Sequence, residues 1–229
     1  RGLKKGWQVY LAGSPNVGKT QLAIQMSRVL ARQDPGCYVA LEGSEEGSAY
    51  RLLEGVLGID SVDIEFGEVD ASRLVKSIED FEAVDYDFFF APRLSVHELR
   101  TYIAKKKSEL GIGWVVVDYV SLLEVEGKDK NEKDTNMSAE LRRICGEFNV
   151  LLLGLDSITK AGASKILSIE DIEGRFSKQH DSDITLGYSD YRAVGNIAPE
   201  FDFDRARHCR LMGVLKDRYR KNKNKIFPL

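Results

Sequence analysis

The segment that most restricts the fold of this chain is a glycine-rich octapeptide that follows an apolar run. The run WQVYLA occupies positions 7–12, and the octapeptide consists of Gly13, Ser14, Pro15, Asn16, Val17, Gly18, Lys19 and Thr20. Apolar residues then recur at helical spacing to about position 32. A strand, a GxxxxGK[ST] turn and a helix in this order predict a phosphate-binding loop, because the glycines let backbone N–H groups curl around phosphate oxygens.

The two polar side chains that close the octapeptide indicate which ligand the loop binds. A lysine at position 19 places a full positive charge beside the β- and γ-phosphates, and the Thr20 hydroxyl is a ligand for Mg²⁺. We therefore predict that all eight loop residues bind ATP and that Thr20 contributes to a magnesium site. The alternative is a plain glycine turn, which the strand before, the helix after and a later acidic strand end all disfavour.

Two carboxylates follow other apolar runs and are candidates for the same site. Asp118 comes directly after WVVV, and Glu42 comes directly after CYVAL. The carboxyl ends of parallel strands gather at one edge of a sheet, so both side chains can converge on the phosphate loop. We predict Asp118 as a magnesium ligand and Glu42 as the general base that polarises the attacking water. A turn-forming Asp and a solvated loop Glu remain the alternatives.

The order of the remaining patterns predicts an α/β fold, with a mostly parallel sheet flanked by helices and a C-terminal β-hairpin. Helices are expected near 45–57, 95–110 and 137–148, the second with a capping box from Ser95 to Glu98. Strands are expected at 150–155, 184–188 and 210–215, and a hairpin over 216–229 with its tip at 221–224. Residues 124–136 and 161–178 are expected to be loops, and residues 58–92 show no regular pattern.

Composition limits the classes of function. A chain of 229 residues that is 43% hydrophobic suits one domain over 1–229, and no apolar run reaches the roughly 18 residues of a membrane span. Three widely separated cysteines suggest neither a disulfide framework nor a zinc site. The net charge of −3 means that any binding of nucleic acid must be local, as at residues 216–225, which include six Lys and Arg.

Several of these segments resemble the DnaB-type hexameric replicative helicases, which belong to the RecA-like ATPases. The matching segments are GLKKGWQVYLAGSPNVGKTQLAIQMS, LEGSEEGSAYRLL and WVVVDYVSLLEVEG. The resemblance implies that Glu42 is catalytic, that Arg51 lies near the nucleotide and that Asp118 binds magnesium.

The C-terminal third continues the resemblance. IEDIEGRFSKQHDSDITLGY is similar to the family's DNA-facing loop and the strand after it, which implies DNA contacts from Arg175, Phe176 and Lys178. LMGVLKDRYRKNKNKIFPL is similar to the terminal hairpin, which implies that Lys216 and Arg218 reach the ATP of the neighbouring subunit. Judged by residue type alone, Phe176 is a core residue and the basic pair belongs to a solvated tail.

The resemblance implies an ATP-hydrolysing motor that moves along single-stranded DNA as a ring, expected to be a hexamer. Primase or a helicase loader would bind through parts absent from this chain, and the protein would be cytoplasmic, in a bacterium or a phage-infected host. Two departures leave alternatives open. Asp156-Ser157 replaces the family's Ser-Gln sensor, and Glu173 places a carboxylate in the DNA loop. A RecA-like recombinase forming filaments and a KaiC-type regulatory ATPase that ignores DNA are the alternatives.

Overall fold

The computed structural model describes residues 2–57, 86–158, 167–172, 181–190, 210–219 and 226–228, and short pieces at 63, 66–72, 75–76 and 79. The described strands form one eight-stranded sheet in the order β3-β2-β4-β5-β1-β6-β7-β8. The strands are β1 Gln8–Gly13, β2 Gly36–Ala40, β3 Tyr86–Phe90, β4 Trp114–Asp118, β5 Leu151–Ser157, β6 Ile184–Asp190, β7 Arg210–Asp217 and β8 Ile226–Pro228. The helices are α1 Lys19–Ala31, α2 Glu45–Leu57, α3 Val96–Leu110 and α4 Lys130–Phe148.

Strands β1 to β6 are parallel, and β7 and β8 are antiparallel additions at one edge. The central strands are apolar on both faces and fully buried, as expected for a parallel sheet that helices cover on each side. The predicted α/β class, the mostly parallel sheet and the terminal hairpin strands are confirmed. The hairpin starts earlier than predicted, at Arg210, and its predicted tip, 221–224, lies outside the described residues.

The two faces of the sheet bury separate apolar cores. One core contains Ile24 of α1 and Leu52 of α2, packed on Val9 and Leu11 of β1. The other contains side chains of α3 and α4, among them Leu99, Ile103, Leu141 and Ile144. Alternate residues of each strand face opposite cores, so the face on which a polar strand residue lies follows from its position.

The local signals for helix ends are confirmed where the sequence carries explicit caps. Ser95 and Glu98 form the predicted capping box at the start of α3, and Gly111 ends that helix in the left-handed conformation at φ 68°. Among the described residues, no helix combines the length and the apolar character that crossing a membrane requires.

Two predictions of local structure were wrong or incomplete. Residues 130–136 belong to α4 rather than to a loop, because Asp129 caps the helix by accepting a hydrogen bond from the Glu132 N–H. The first turns of α4 are mostly exposed, so they carry no apolar periodicity that could reveal them. Strand β3 was not predicted, because its sequence YDFFF does not alternate between polar and apolar residues.

Candidate functional site

The phosphate loop joins the carboxyl end of β1 to the first turn of α1. Gly18 caps the helix at φ 95°, and the first turn carries no acidic residue, so no side chain there competes with an anion for the N–H groups. Gly13 is tightly enclosed, since a Cβ atom on it would lie 2.4 Å from the Tyr188 carbonyl oxygen. The local pattern that the sequence predicted therefore folds as a strand, a glycine turn and a helix N-terminus.

Lys19 is only 2% exposed, and its ammonium group is turned into the loop. Its Nζ donates hydrogen bonds to the carbonyl oxygens of Gly13, at 2.9 Å, and Ser14, at 2.8 Å. Burial lowers the pKa of Lys19, while the negative charges of Asp118, Asp156 and Glu42 act in the opposite direction. The site thus concentrates carboxylates around one buried cation, which is the charge pattern of a phosphate and metal site.

Asp118 lies at the carboxyl end of β4, on the face of the sheet that α1 covers. Its Oδ2 accepts hydrogen bonds from Thr20 Oγ1, at 2.9 Å, and from the Tyr38 hydroxyl, at 2.7 Å. Its Oδ1 is buried and has no hydrogen-bond partner among the described residues. Burial raises the pKa of Asp118, and the hydrogen bonds from Tyr38 and Thr20 oppose that rise. An unpartnered carboxylate oxygen beside the Thr20 hydroxyl fits a hard cation such as Mg²⁺.

The residues around Asp118 also indicate which ligands would complete the coordination of a cation. No group of three or more His, Cys, Asp or Glu side chains in the described ranges could hold a metal ion. Magnesium usually keeps several waters and takes one or two carboxylates together with phosphate oxygens. The residues present therefore fit Mg²⁺ that arrives with a nucleotide better than a metal held by the protein alone.

Glu42 and Arg51 lie at the same edge of the sheet. The backbone N–H of Leu41 donates to the Asp118 carbonyl oxygen at 2.7 Å, which places the following residue, Glu42, next to the end of β4. Glu42 is exposed, and its charge raises the pKa of Asp118. Arg51, on α2, is also exposed, and its positive charge lowers that pKa. Both predicted residues therefore lie close enough to Asp118 for their charges to shift its pKa.

Asp156 and Ser157, the pair that departs from the sensor pattern, end strand β5 beside β1. Asp156 is opposite Ala12 and Ser157 is opposite Gly13 in the parallel register. Asp156 is fully buried, and its Oδ1 accepts a hydrogen bond from the Ser157 N–H at 2.9 Å. Its negative charge acts on Lys19 and on Tyr10, so the pair that replaces the family's Ser-Gln sensor places a buried carboxylate beside the phosphate loop.

Lys216 and Arg218 do not approach the phosphate loop of their own chain. The Arg218 N–H donates to the Asp183 carbonyl oxygen, and the Asp183 N–H donates to the Gln8 carbonyl oxygen. Arg218 is thus level with Gln8, five residues and about 17 Å before Gly13 at the usual rise of a strand. The Lys216 ammonium points to Ser182, donating to its carbonyl oxygen at 2.5 Å.

A buried carboxylate organises this opposite end of the sheet. Asp183 is fully buried, accepts hydrogen bonds from the Gln8 N–H and the Tyr219 hydroxyl, both at 2.9 Å, and forms an ion pair with Arg142. Its other ion pair, with Arg218 Nη1, spans 3.6 Å.

Burial and the neighbouring Arg218 charge lower the pKa of Lys216 to about 8. Lys216 and Arg218 bond to Ser182 and Asp183 at this end of the sheet, which we call the rim, away from the phosphate loop of their own chain.

Sequence reasoning missed two residues that contact the site. Tyr38 lies within the predicted strand β2, and an aromatic hydroxyl in an otherwise apolar run was the available signal. Arg210 begins β7 and donates from Nε to the Val17 carbonyl oxygen at 3.1 Å, a contact across 193 residues that no local pattern reveals. The predicted DNA contacts Arg175, Phe176 and Lys178, and also Glu173, lie outside the described residues.

Comparison with known proteins gives a consistent result. Residues 1–166 match the model of the family described as DnaB-like helicase C terminal domain. The chain is 28% identical over 199 residues to the replicative DNA helicase DnaB of Helicobacter pylori, covering 81% of this chain and 40% of that protein. It is 24% identical over 194 residues to the replicative DNA helicase DnaC of Bacillus subtilis, covering 80% of this chain and 43% of that protein. The chain thus spans about two fifths of the length of these relatives.

Solved structures show the same fold. One of them, described as an ATPase domain, aligns with a TM-score of 0.84 at 18% identity, covering 99% of this chain and 81% of that one. A DnaB-like replicative helicase, described with its primase interactions, aligns with a TM-score of 0.84 at 18% identity, covering 100% of this chain and 55% of that one.

Proposed function

The chain belongs to the family of DnaB-like helicase C-terminal domains, and from this membership we propose that it is the ATP-hydrolysing motor of a replicative DNA helicase that moves along single-stranded DNA as a hexameric ring. The relatives are replicative helicases, which favours this function over a recombinase or a regulatory ATPase. One observation carries the proposal: the phosphate loop and the Lys216–Arg218 pair lie at opposite ends of β1. A complete site then requires two copies of the chain.

Binding of ATP begins with the loop and Lys19. The N–H groups at the start of α1 and the positive end of the helix attract the phosphates. The Lys19 ammonium exchanges its carbonyl partners, Gly13 and Ser14, for phosphate oxygens. The ammonium is charged in both states, but only the phosphate oxygens are anionic, so the exchange adds a Coulomb attraction that favours the nucleotide-bound state.

Thr20 and Asp118 hold the magnesium ion in this proposal. The support is the buried, unpartnered Oδ1 of Asp118 and the hydroxyl of Thr20 that contacts the same carboxylate. Magnesium bound there with ATP offsets the negative charge of the β- and γ-phosphates. Tyr38 fixes the rotamer of Asp118 by donating to Oδ2, which leaves Oδ1 directed away from that hydrogen bond.

Glu42 is the proposed general base. Its position next to the end of β4 supports this role, as does its exposure, which lets a water molecule reach the carboxylate. A general base must lie within hydrogen-bond reach of the water that it orients, and a loop glutamate can reach that distance when the nucleotide is bound. Arg51, on α2, is proposed to contact the nucleotide.

Lys216 and Arg218 complete the site of the neighbouring subunit. Negative charge on the γ-phosphate is stabilised by a cation from a second chain, an effect of roughly 10³–10⁵ in rate for arginine fingers. The head-to-tail contact between one chain's rim and the next chain's phosphate loop is heterologous, and such contacts close into rings when the rotation permits. Turnover is thereby coupled to assembly.

We extend the proposal to the ligands and partners of the ring. The single motor domain covers 1–229, Arg175, Phe176 and Lys178 contact single-stranded DNA, and primase or a loader binds through other parts of the assembled protein. One structural neighbour is described with primase interactions, which supports the primase assignment. A cytoplasmic location remains a prediction.

The test of the trans arrangement compares two substitutions of exposed arginines. Arg218→Ala is expected to abolish most of the turnover while nucleotide affinity stays within about twofold, because Arg218 is remote from its own loop. Arg143→Ala is the matched control, since Arg143 is exposed on α4 and pairs only with Glu140 among the described residues. Unchanged turnover in Arg218→Ala would remove this residue from the mechanism.

The test of the motor function measures size and ATPase rate together. Magnesium and a non-hydrolysable ATP analogue are expected to produce a ring, and single-stranded DNA is expected to stimulate hydrolysis with a steep salt dependence. Filaments on DNA would indicate the recombinase alternative. Assembly without any DNA binding or stimulation would indicate the regulatory ATPase.

A further inference from the structure

Arg210 links the terminal hairpin to the phosphate loop of the same chain. It is the first residue of β7, and its Nε donates to the carbonyl oxygen of Val17 at 3.1 Å. Its Nη1 forms an ion pair with Asp190 Oδ2 at 3.3 Å, across the antiparallel pair of β6 and β7. The Arg210 side chain is about one third exposed, while Val17 is buried in the loop. This contact has no part in the catalytic roles proposed above.

We propose that Arg210 is a positioning residue that fastens the phosphate loop to β7 and thereby transmits the nucleotide state of one subunit to the Lys216–Arg218 end of the same strand. The second half of this statement rests on the proposed function, because the far end of β7 matters for hydrolysis only where it serves a neighbouring site.

The geometry of one peptide unit explains why this contact positions the loop. The Val17 carbonyl and the Gly18 N–H belong to the same planar peptide, in which the two groups point in opposite directions. Anchoring the carbonyl to Arg210 therefore fixes the direction of the Gly18 N–H, one of the loop groups available to phosphate. Gly18 has φ 95°, a conformation that only glycine adopts readily, so the unit would otherwise have wide rotational freedom.

The strand that bears Arg210 is a stiff connection to the opposite rim. β7 is paired with β6 from Asp190 opposite Arg210 to Ile184 opposite Asp217, with one register shift at Leu215, and β6 is paired with β1. Arg210 and Arg218 lie level with Asp190 and Asp183 of the β6 segment, seven residues or about 23 Å apart along a strand. Beyond the end of β7, Tyr219 stacks on Trp7 with ring centroids 4.8 Å apart. A shift of the Val17 peptide on nucleotide binding therefore has a continuous path to the Trp7–Tyr219 stack.

The ion pair with Asp190 explains why the residue is an arginine. The planar guanidinium presents Nε and Nη1 in a fixed geometry, so it bonds to a carbonyl and a carboxylate together, whereas an ammonium must reach both acceptors from one nitrogen on a flexible stem. Arg210→Lys, which keeps the charge and loses this geometry, is therefore expected to weaken the anchoring of the loop less than Arg210→Ala does. Asp190→Asn, which keeps an acceptor for the guanidinium, is expected to give an intermediate effect.

The first measurement tests positioning of the loop. Arg210→Ala is expected to weaken binding of Mg-ADP by roughly three- to tenfold in calorimetry, as for loss of one hydrogen bond. The control Arg143→Ala, an exposed arginine on α4, is expected to leave binding unchanged. An unchanged affinity in Arg210→Ala, with the fold intact by circular dichroism, would overturn the positioning role.

The second measurement tests transmission along β7 through Trp7, one of the two tryptophans in the chain. The Trp7 signal is the difference between the fluorescence of the native chain and that of Trp7→Phe, in which Trp114 remains. Saturating Mg-ADP is expected to change this signal in the native chain and not in Arg210→Ala. No change in the native chain, or an equal change in Arg210→Ala, would overturn the transmission.

Neither measurement requires DNA or ATP turnover. A negative result here would overturn the role of Arg210 and leave the motor proposal standing, because that proposal is tested separately by the turnover of Arg218→Ala.

Discussion

The charge state of Lys216 predicts that the rate of ATP hydrolysis depends on pH. Burial, and then the positive charge of Arg218, lower the pKa of Lys216 to about 8, while Asp183 and Asp181 act to raise it and Arg142 acts to lower it further. If this ammonium serves the neighbouring ATP, the protonated form is the active one. Activity is then present below pH 8 and is lost as the pH rises through that value.

The expected magnitude follows from the titration of a single group. With a pKa near 8, about 90% of Lys216 is protonated at pH 7 and about 10% at pH 9, a difference of roughly tenfold. The profile of kcat/KM reports the free enzyme, so it is expected to fall across this window. The profile of kcat is expected to fall at higher pH, because bound phosphate favours the charged amine.

The assay is steady-state ATP hydrolysis in the presence of Mg²⁺ between pH 6.5 and 9.5, with subunits at ring-forming concentration. Lys216→Arg is expected to remove the decline in kcat/KM, because a guanidinium stays protonated throughout this range. Lys105→Arg, at an exposed position on α3, is the matched control and should keep the decline. The reasoning is refuted if Lys216→Arg falls as steeply as the native chain, or if the native chain shows no decline.

Three further predictions concern the phosphate-loop end of the sheet. Asp118→Asn is expected to lower the affinity for Mg-ATP at least about tenfold and to leave binding in EDTA nearly unchanged, measured by calorimetry. Tyr38→Phe removes a hydrogen bond that lowers the pKa of Asp118, so its loss of Mg-ATP affinity should be larger at pH 5.5 than at pH 7.5. Gly13→Ala is expected to abolish nucleotide binding, because its Cβ would meet the Tyr188 carbonyl oxygen at 2.4 Å. Gly146→Ala is the control, since its Cβ would meet nothing within 4 Å, and it should raise stability by about 0.5–1 kcal/mol in urea unfolding.

Local patterns predicted much of the fold because their physical causes are local. The capping box at Ser95 and the glycine at position 111 are satisfied by residues within one or two turns of helix. The start of α4 lacked such a signal, since its first turns face solvent and its cap, Asp129, is one acidic residue among many. Strand β3 also lacked a local signal. Its sequence YDFFF does not alternate between polar and apolar residues, and in the structure all five residues are half-buried.

The sequence by itself determined the phosphate loop and the class of sheet that holds it. Glycine at 13 and 18, lysine at 19 and threonine at 20 specify a turn and a helix start whose N–H groups, charge and hydroxyl are set within eight residues. The capacity to bind phosphate is therefore encoded in a short segment, and strand ends such as Asp118 follow from the parallel class.

Only the tertiary structure decided which distant groups contact the phosphate loop and which lie far from it. Strand order and register are set by packing between segments far apart in the chain, so no window of sequence contains them. They bring the Tyr38 hydroxyl to Asp118 and the Arg210 guanidinium to Val17. The antiparallel direction of β7 carries Lys216 and Arg218 to the opposite rim, where their charges face away from their own site.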